Sequence, residues 1–247
     1  MRLSKSAVIT YENCPYNFKL DYILGFRKTR PDPEEGSPLL VGSQIHEIFE
    51  NYYKLPEAAA VRGPFYEENI FDILMTIKNA KKYENHMENF ASFNAAQIEG
   101  YEQKGLQIIP KGVPGYIPKY VEMKVFNKET NTLGYIDRVD MEEKGARIID
   151  YKSSKRSRPV KHYLFELSLY AYTFEQETGI KVHDAGIYFS NEGKLRATPI
   201  TEDDKLGAIK KVFDAREAIK QKIFPKTPSF FCNWCENSKI CGESEDF

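Results

Sequence analysis

Two short stretches decide the fold of this chain: Gly134–Asp140, with the sequence GYIDRVD, and Ile148–Lys152, with the sequence IIDYK. Each combines β-branched or aromatic residues with charged ones, which is typical of strands. The turn-like run EEKG lies between them at 142–145. The two stretches therefore predict a β-hairpin centred on residues 143 and 144.

In that hairpin, three charged side chains share one face. Positions whose numbers add up to 287 pair with each other, so Asp137 lies opposite Asp150, and such neighbours have their Cβ atoms about 5 Å apart. Lys152 follows Asp150 by two residues and points to the same face. Gly145 offers an alternative, because a bulge there would shift the pairing by one residue.

Two carboxylates at this distance repel each other and stay ionised most easily with a divalent cation between them. Oxygen ligands favour Mg²⁺ or Mn²⁺, which polarise a phosphoryl oxygen and activate a bound water. With Lys152 to stabilise charge on the phosphate, the cluster predicts phosphodiester hydrolysis. In the alternative, Asp137, Asp140 and Asp150 are solvated residues flanking a hairpin. Against it, Asp137 and Asp150 follow apolar residues, and carboxylates at the ends of buried strands need a partner.

The composition is that of a globular protein with a normal core, since 41% of the 247 residues are hydrophobic and 29% are charged. No run approaches the roughly 20 apolar residues that span a bilayer. Residues 1–10 lack the apolar region of a signal peptide, so we expect a cytoplasmic location and no membrane partner. The formal net charge is −1, which means that nucleic-acid binding needs local basic clusters.

Helices and further strands surround the hairpin. Helical apolar spacing predicts helices, and short β-branched runs between turn signals predict strands. Helices are expected over 4–24, 39–53, 66–104 (as one or two), 159–177 and 203–223, with a loop over 29–38. Strands are expected over 120–126, 132–141, 147–152, 182–190 and 195–200. This order predicts an α/β fold with a mixed central sheet flanked by helices.

One histidine has a suggestive context. Gly42 precedes His46 by one helical turn, and a glycine there leaves room for a second backbone or a ligand beside the imidazole. A structural or surface histidine is the alternative.

Four cysteines are divided between the two ends of the chain. Cys232, Cys235 and Cys241 form a C-x2-C-x5-C motif, and Cys14 is the fourth. Clustered cysteines in a reducing compartment more often bind metal than form disulfides. Four thiolates hold either zinc or an iron–sulfur cluster, and the spacing does not choose between them; reduced, buried cysteines are the remaining alternative. The motif predicts a structural site that ties the ends together.

The densest basic run directly follows the proposed catalytic lysine. On a loop leading into the next helix, its side chains would hold phosphates beside the metal, whereas a solvated surface loop is the alternative. The run comprises Lys152, Lys155, Arg156, Arg158 and Lys161.

Taken in order, these motifs resemble those of the RecB-like nucleases of the PD-(D/E)xK superfamily. Cys14-Pro15 and the aromatic residues after it resemble the N-terminal cysteine segment of AddB-type and CRISPR-associated members, and Glu122 lies where the family often has an acidic residue. The other matches are Gly42-x-x-x-His46 to GxxxH, Gly134-Tyr-Ile-Asp137 to G-x-x-D, and Asp150-Tyr151-Lys152 to D-x-K.

The resemblance implies a restriction-endonuclease-like core and a role for each motif. His46, Asp137, Asp150 and the Tyr151 carbonyl would bind Mg²⁺ or Mn²⁺, and Asp137, Asp150 and Lys152 would be catalytic. The resemblance also favours a 4Fe-4S cluster over Zn²⁺ on Cys14, Cys232, Cys235 and Cys241.

One motif departs from the family pattern. The family usually has Gln-x-x-x-Tyr on the helix after the D-x-K strand, and here Glu166 and Tyr170 keep that spacing with Glu in place of Gln. The resemblance implies DNA contacts for Tyr170 and for position 166. A carboxylate is repelled by DNA unless it meets a metal or a basic residue.

The resemblance further implies one nuclease domain over 1–247, with a mainly helical part over 1–105, a nuclease core over 115–223 and a cysteine-rich tail over 224–247 that packs with Cys14. The implied activity is a metal-dependent DNA exonuclease acting on single-stranded DNA or DNA ends, most similar to the CRISPR-associated enzymes that trim DNA before spacer integration in antiviral defence. Its partners would be DNA and an integrase complex or a separate helicase. A recombination, repair or viral nuclease and a non-catalytic DNA-binding subunit are the alternatives.

Overall fold

A computed structural model of the chain describes residues 2–61, 65–103, 118–154 and 157–242. The first part is helical apart from one two-residue strand. It contains β1 (Leu3–Ser4), α1 (Lys5–Asn13), α2 (Pro15–Phe18), a π-helical turn (Lys19–Ile23), a 3₁₀ turn (Phe26–Thr29), α3 (Pro38–Lys54), α4 (Pro56–Ala60), α5 (Tyr66–Met75), a 3₁₀ turn (Ala80–Tyr83) and α6 (Glu84–Gln103). The predicted boundary between 105 and 115 lies outside the described residues.

The second part carries most of the sheet. It contains β2 (Tyr120–Asn127), β3 (Thr132–Glu142), β4 (Gly145–Lys152), a 3₁₀ turn (Val160–Tyr163), α7 (Leu164–Thr178), β5 (Val182–Phe189), β6 (Lys194–Pro199), α8 (Glu202–Lys220), a 3₁₀ turn (Phe230–Trp234) and α9 (Ser238–Cys241). The predicted strands are all present. Helix α7 begins later than predicted, because Pro159 is extended with ψ 139° and a 3₁₀ turn follows it.

The strands form one mixed sheet, as the sequence predicts. Its order is β1-β3-β4-β5-β6, with β2 paired to β3 as well. Strands β1 and β3 pair in parallel, as do β4 and β5, whereas the other pairs are antiparallel. Helices pack around this sheet, and the α/β fold class is confirmed. No helix in the described ranges is long and apolar enough to cross a membrane.

The β3–β4 hairpin has the predicted register. Glu142 pairs with Gly145 and Arg138 with Ile149, with no shift in between. The pairing of β3 with β4 ends at Arg138 and Ile149. Further along the same edge, β3 pairs with β1 at Thr132 and Leu133. Strand β1 lies on the β4 edge because β2 occupies the opposite edge of β3 over this stretch. Strands β3 and β4 therefore separate one residue before their aspartates would pair.

Buried apolar residues cover both faces of the sheet. One cluster joins α3, α5 and α6 to β4 and β5 through Phe49, Phe90 and Tyr151. A second joins α7 to the other face through Leu167 and Ile148. A third packs α1 against α8. Neighbouring residues of β4 thus face opposite layers, and Asp150, which lies between Ile149 and Tyr151, faces the α7 layer.

A buried arginine joins the helical layer to the sheet. Arg138 is fully buried, and it donates two hydrogen bonds to Asp140, at 2.7 and 2.9 Å. It also donates to Tyr53, Asn94 and Gln97 on α3 and α6. Asp140 is therefore not a solvated residue flanking the hairpin, because its charge is paired inside the fold.

Candidate active site

Three carboxylates follow one another across three adjacent strands. Strand β2 pairs with β3 in constant register from Tyr120 to Asn127, which places Glu122 next to Asp137. The β3–β4 ladder ends at Arg138 and Ile149, so Asp150 follows on the other side of Asp137 without pairing with it. The carboxylates of Asp137 and Asp150 are buried, with 7% and 2% of each residue exposed. Such a row of negative charges calls for cations.

His46 and the Tyr151 backbone converge on the middle carboxylate. Tyr151 N–H donates a hydrogen bond of 2.6 Å to Asp137 Oδ2, which closes the gap where the two strands separate. The His46 Nδ1 atom lies 3.5 Å from the same oxygen, and its Nε2–H donates to the Tyr151 carbonyl at 2.9 Å. Burial lowers the pKa of His46, but the hydrogen bond and charge of Asp137 raise it more. The structure therefore brings these three sequence-predicted residues together.

Helix α3 carries His46 to this position. Ser37 caps the helix by accepting a hydrogen bond from the Leu40 N–H, and Pro38 occupies its first turn. A Cβ atom at Gly42 would lie 3.3 Å from Ser153 Oγ, just beyond the end of β4. The space that the glycine leaves is thus filled by the chain that follows β4, and it lets α3 approach the sheet.

Glu122 completes a group with metal-ligand character. Within the described ranges, His46, Glu122 and Asp137 each offer a ligand atom, and these atoms lie within 4.8 Å of one another. Burial, with the neighbouring Asp137 charge, raises the pKa of Glu122 to about 7. Glu122 also has a left-handed backbone, with φ +48°. Carboxylate and imidazole ligands that crowd together in this way fit a divalent cation such as Mg²⁺ or Mn²⁺.

We expect Glu122→Gly to raise the free energy of unfolding of the metal-free protein by about 1 kcal/mol, since it removes backbone strain and one repelling charge. The same change should weaken Mn²⁺ binding, measured by calorimetric titration. Lys222→Gly is the matched control, because Lys222 also has a positive φ of 60° and lies outside the metal group. It should gain stability and keep its Mn²⁺ affinity. A destabilised Glu122→Gly protein with unaltered Mn²⁺ affinity would contradict this account.

Asp150 lies among lysines rather than within the His46 group. Lys152 Nζ is 2.5 Å from Asp150 Oδ2, and Lys5 Nζ is 3.4 Å from Asp150 Oδ1. Burial raises the pKa of Asp150, but Lys5 and Lys152 outweigh it and hold the pKa below its usual range. Burial also lowers the pKa of Lys152, where Asp150 reverses the direction. Asp150 is therefore ionised and faces both ammonium groups.

The residue at 166 lies beside the same lysines. Glu166, in the first turn of α7, is only 6% exposed and forms ion pairs with Lys5 and, at 3.4 Å, with Lys152. The basic partner that a carboxylate at this position requires is thus present in the structure. A helix N-terminus also favours a negative charge.

Tyr170 explains the glycine of the G-x-x-D motif. A Cβ atom built on Gly134 would lie 2.6 Å from Tyr170 Cε1, so only glycine lets the ring pack on β3. The Lys5 ammonium lies 4.8 Å from the centre of the same ring, a cation–π contact. Tyr170 is therefore held between the sheet and Lys5, one helical turn after Glu166.

We expect Gly134→Ala to lower the free energy of unfolding by about 1–3 kcal/mol, because the buried Tyr170 ring has to move. Gly207→Ala in α8 is the control: its Cβ meets nothing within 4 Å, and alanine in a helix interior is about 1 kcal/mol more favourable than glycine. Urea denaturation of both variants measures the two changes in the free energy of unfolding. Equal shifts of the same sign would mean that the contact between Gly134 and Tyr170 is unimportant.

Sequence reasoning alone misses the role of two residues of this site. The motifs mark Glu122 as acidic but predict no ligand role for it. The signal for such a role would have been the register of β2 and β3, which brings Glu122 next to Asp137. Lys5 carries no motif, and only the pairing of β1 with β3 brings it near the catalytic strand. Of the basic run, Arg158 is exposed, whereas Lys155 and Arg156 lie outside the described residues.

The cysteines lie where the two ends of the chain meet. The Tyr16 N–H donates to Pro225 O at 3.0 Å. Asn237 donates to both Asn17 and Asp21, at 2.7 Å each. Burial raises the pKa of the Cys235 thiol, and the nearby Cys14 and Cys232 raise it further. The four sulfur atoms, all in described parts of the chain, form no group within 4.8 Å of one another.

Known proteins share features with this chain at the level of the sequence family and of individual relatives. A model of the PD-(D/E)XK nuclease superfamily matches residues 2–242. One subunit of the ATP-dependent helicase/deoxyribonuclease of Streptococcus uberis is 24% identical over 162 residues, which cover 63% of this chain but only 14% of that protein. The crystal structure of a putative exonuclease from Eubacterium rectale has a TM-score of 0.49 and 15% identity, covering 97% of this chain and 87% of the other. Because the family model matches nearly the whole chain, this protein belongs to the PD-(D/E)XK nuclease superfamily.

Proposed function

We propose that the protein is a metal-dependent deoxyribonuclease. The observation that carries this proposal is the set of carboxylates Glu122, Asp137 and Asp150 on β2, β3 and β4, with His46 and the Tyr151 backbone beside Asp137 and with Lys152 beside Asp150. These groups would hold Mg²⁺ or Mn²⁺, since both ions prefer oxygen ligands and accept an imidazole. The bound cation would polarise a phosphoryl oxygen and lower the pKa of a bound water.

The remaining groups supply positioning and charge. Lys152, next to Asp150 on β4, is placed to donate hydrogen bonds to the attacking water and to oxygens of the phosphate. Hydrolysis forms a bond from the water oxygen to phosphorus as the water gives up a proton, and it breaks the bond from phosphorus to the leaving oxygen, which takes up a proton. Asp137 fixes the Tyr151 backbone, so the carbonyl, the histidine and the aspartates keep a common geometry.

Basic and aromatic residues around the site are proposed to contact the DNA. Tyr170 packs beside Lys5. The negative charge of Glu166 is balanced by Lys5 and Lys152, so it does not repel a phosphate. Arg158 is exposed on the segment between β4 and α7. With Lys155 and Arg156, it would contribute sequence-independent phosphate contacts.

We propose a 4Fe-4S cluster on Cys14, Cys232, Cys235 and Cys241, with zinc as the alternative. The resemblance of the cysteine pattern to that of iron–sulfur RecB-like nucleases supports the cluster, in which each thiolate would bind a different iron. Its role would be structural, since it joins two ends that already pack together.

We further propose that the enzyme is an exonuclease on single-stranded DNA or DNA ends, and that it trims DNA for CRISPR spacer acquisition with an integrase complex. The resemblance of the four-cysteine pattern supports this. A recombination or repair nuclease working with a separate helicase is the second candidate, and the similarity to part of a helicase/deoxyribonuclease favours it. Activity without a helicase would favour the first candidate, whereas strict dependence on a helicase would favour the second.

Linear and circular single-stranded DNA of the same sequence test the exonuclease proposal. With Mg²⁺ or Mn²⁺, we expect end-labelled linear DNA to shorten from an end while the circle stays intact. Linearisation of the circle at a comparable rate would overturn the exonuclease assignment and leave an endonuclease. No cleavage of any DNA would favour a non-catalytic DNA-binding subunit instead.

A further inference from the structure

The N-terminal end of α1 reaches the catalytic strand. Ser4 caps the helix by accepting a hydrogen bond from the Ala7 N–H, and β1 pairs with β3 on the edge that β4 has left. Lys5, the next residue, therefore points into the gap between β3 and β4. Its ammonium contacts Asp150 and Glu166 and lies over the Tyr170 ring.

Lys5 and Glu166 form a cluster of four charges with Asp150 and Lys152. Asp150 and Glu166 each contact both Lys5 and Lys152. Two buried carboxylates thus share two ammonium groups, and the cluster is neutral as a whole. Removing either Lys5 or Glu166 would leave an unbalanced charge among these mostly buried groups, which is costly.

The two carboxylates have different tasks in the proposed reaction. Asp150 would give oxygens to the cation, and its hold on Lys152 would weaken as it does so. Glu166 is paired with Lys5 and Lys152 and would remain beside Lys152. A carboxylate at this place would also repel the substrate phosphate, unless a second cation balanced its charge. Lys5 supplies that balance.

We propose that Lys5 and Glu166 form a positioning pair for Lys152, in which Lys5 neutralises Glu166 and Glu166 holds the Lys152 ammonium at the reacting phosphate. This inference rests on the proposed nuclease function. Lys5 and Glu166 together then position Lys152 as a neutral amide at position 166 would do alone, and each of them needs the other for this role.

A double-mutant cycle tests this coupling. The proteins are the wild type, Lys5→Met, Glu166→Gln and the double variant, compared by kcat and KM on one DNA substrate. Methionine keeps an unbranched chain on the Tyr170 ring. We expect Lys5→Met to lower kcat roughly 100-fold, with a smaller change in KM, because the unbalanced Glu166 competes with the phosphate for Lys152. Glu166→Gln should lower kcat about tenfold, and the double variant should recover to within about tenfold of the wild type.

The alternative outcomes are distinct. Multiplicative losses in the double variant, near 1000-fold, would overturn the pair, because independent residues have additive free energies. Coupling in the urea midpoint without coupling in kcat would also overturn it and leave a merely structural ion pair. Inactive wild type with either metal would refute the proposed function and this inference with it, whereas active wild type with additive variants refutes the pair alone.

Lys211→Met is the matched control. The Lys211 ammonium also lies over an aromatic ring, 5.7 Å from the centre of Phe165, and 3.8 Å from the Glu12 carboxylate. It is half exposed and makes no contact with the aspartates of the sheet. Its kcat should equal that of the wild type, so that a loss in Lys5→Met reports the position of the lysine and not its type.

Discussion

Replacing Asp137 with asparagine is expected to reduce the rate of DNA hydrolysis roughly 1000-fold. Asp137 is the middle carboxylate of the row and the only one that contacts both His46 and the Tyr151 backbone in the described parts of the chain. Asparagine keeps an oxygen that accepts from the Tyr151 N–H, so the geometry of β4 is retained. The negative charge that a cation requires is lost.

The sign of the stability change makes this prediction specific. Without metal, removing the charge relieves repulsion with Glu122, whose pKa is raised to about 7 by burial and by Asp137. We therefore expect the thermal midpoint of metal-free Asp137→Asn to equal or exceed that of the wild type. Added Mn²⁺ should stabilise the wild type and leave the variant unchanged.

Asp184→Asn is the control for this variant. Asp184 lies in the same sheet, on β5, and accepts two hydrogen bonds of 2.6 Å from Arg147. It has no place in the proposed site, so its hydrolysis rate and its response to Mn²⁺ should match the wild type. A similar loss of rate in both variants would mean that the effect of Asp137→Asn comes from general disruption of the sheet.

Replacing Cys14 with alanine is expected to remove most of the stability of the protein and to abolish binding of the proposed cluster. Cys14 is separated from Cys232 by over 200 residues, and a link that closes a loop of this length contributes about 5 kcal/mol by restricting the unfolded chain. That is comparable with the whole stability of many domains. Only direct contacts, such as those of Asn237 with Asn17 and Asp21 and of Tyr16 with Pro225, would then hold the two ends together.

Anaerobically purified protein provides the measurement. Wild type should be brown with about four irons per chain, whereas Cys14→Ala should be colourless and unfold at a much lower temperature. Thr10→Ala, a change at a partly buried position of α1, the helix that ends at Cys14, should keep both the colour and the midpoint. A colourless, zinc-loaded wild type would refute the iron assignment, and a stable Cys14→Ala protein would refute the role of the cysteine in joining the ends.

The hairpin register was predictable because β-strands alternate with a period of two and the turn is short. Once 143 and 144 are the turn, the position of Asp150 relative to Asp137 follows from counting. The helix that carries His46, expected over 39–53, was predictable for the same reason, since the helix period is regular. These local rules place the core of the site without knowledge of the tertiary structure.

Residues brought in by non-local pairing were not predictable in this way. Glu122 enters the row only because β2 pairs with β3 at one particular register, and its left-handed backbone has no sequence signal in a non-glycine residue. Lys5 enters through a parallel pair of two residues at the chain start. The consequence of Glu166 depended on this lysine, which is why the departure from the family pattern could not be judged from the motif itself.

Hydrolysis of end-labelled DNA by wild type and Asp150→Ala tests most directly whether the row of carboxylates is a catalytic metal site. Each protein is assayed with Mg²⁺, with Mn²⁺ and with EDTA. We expect the wild type to cleave DNA only when a divalent cation is present, and Asp150→Ala to cleave none under any condition. Equal cleavage by the two proteins, or cleavage by wild type in EDTA, would contradict this expectation.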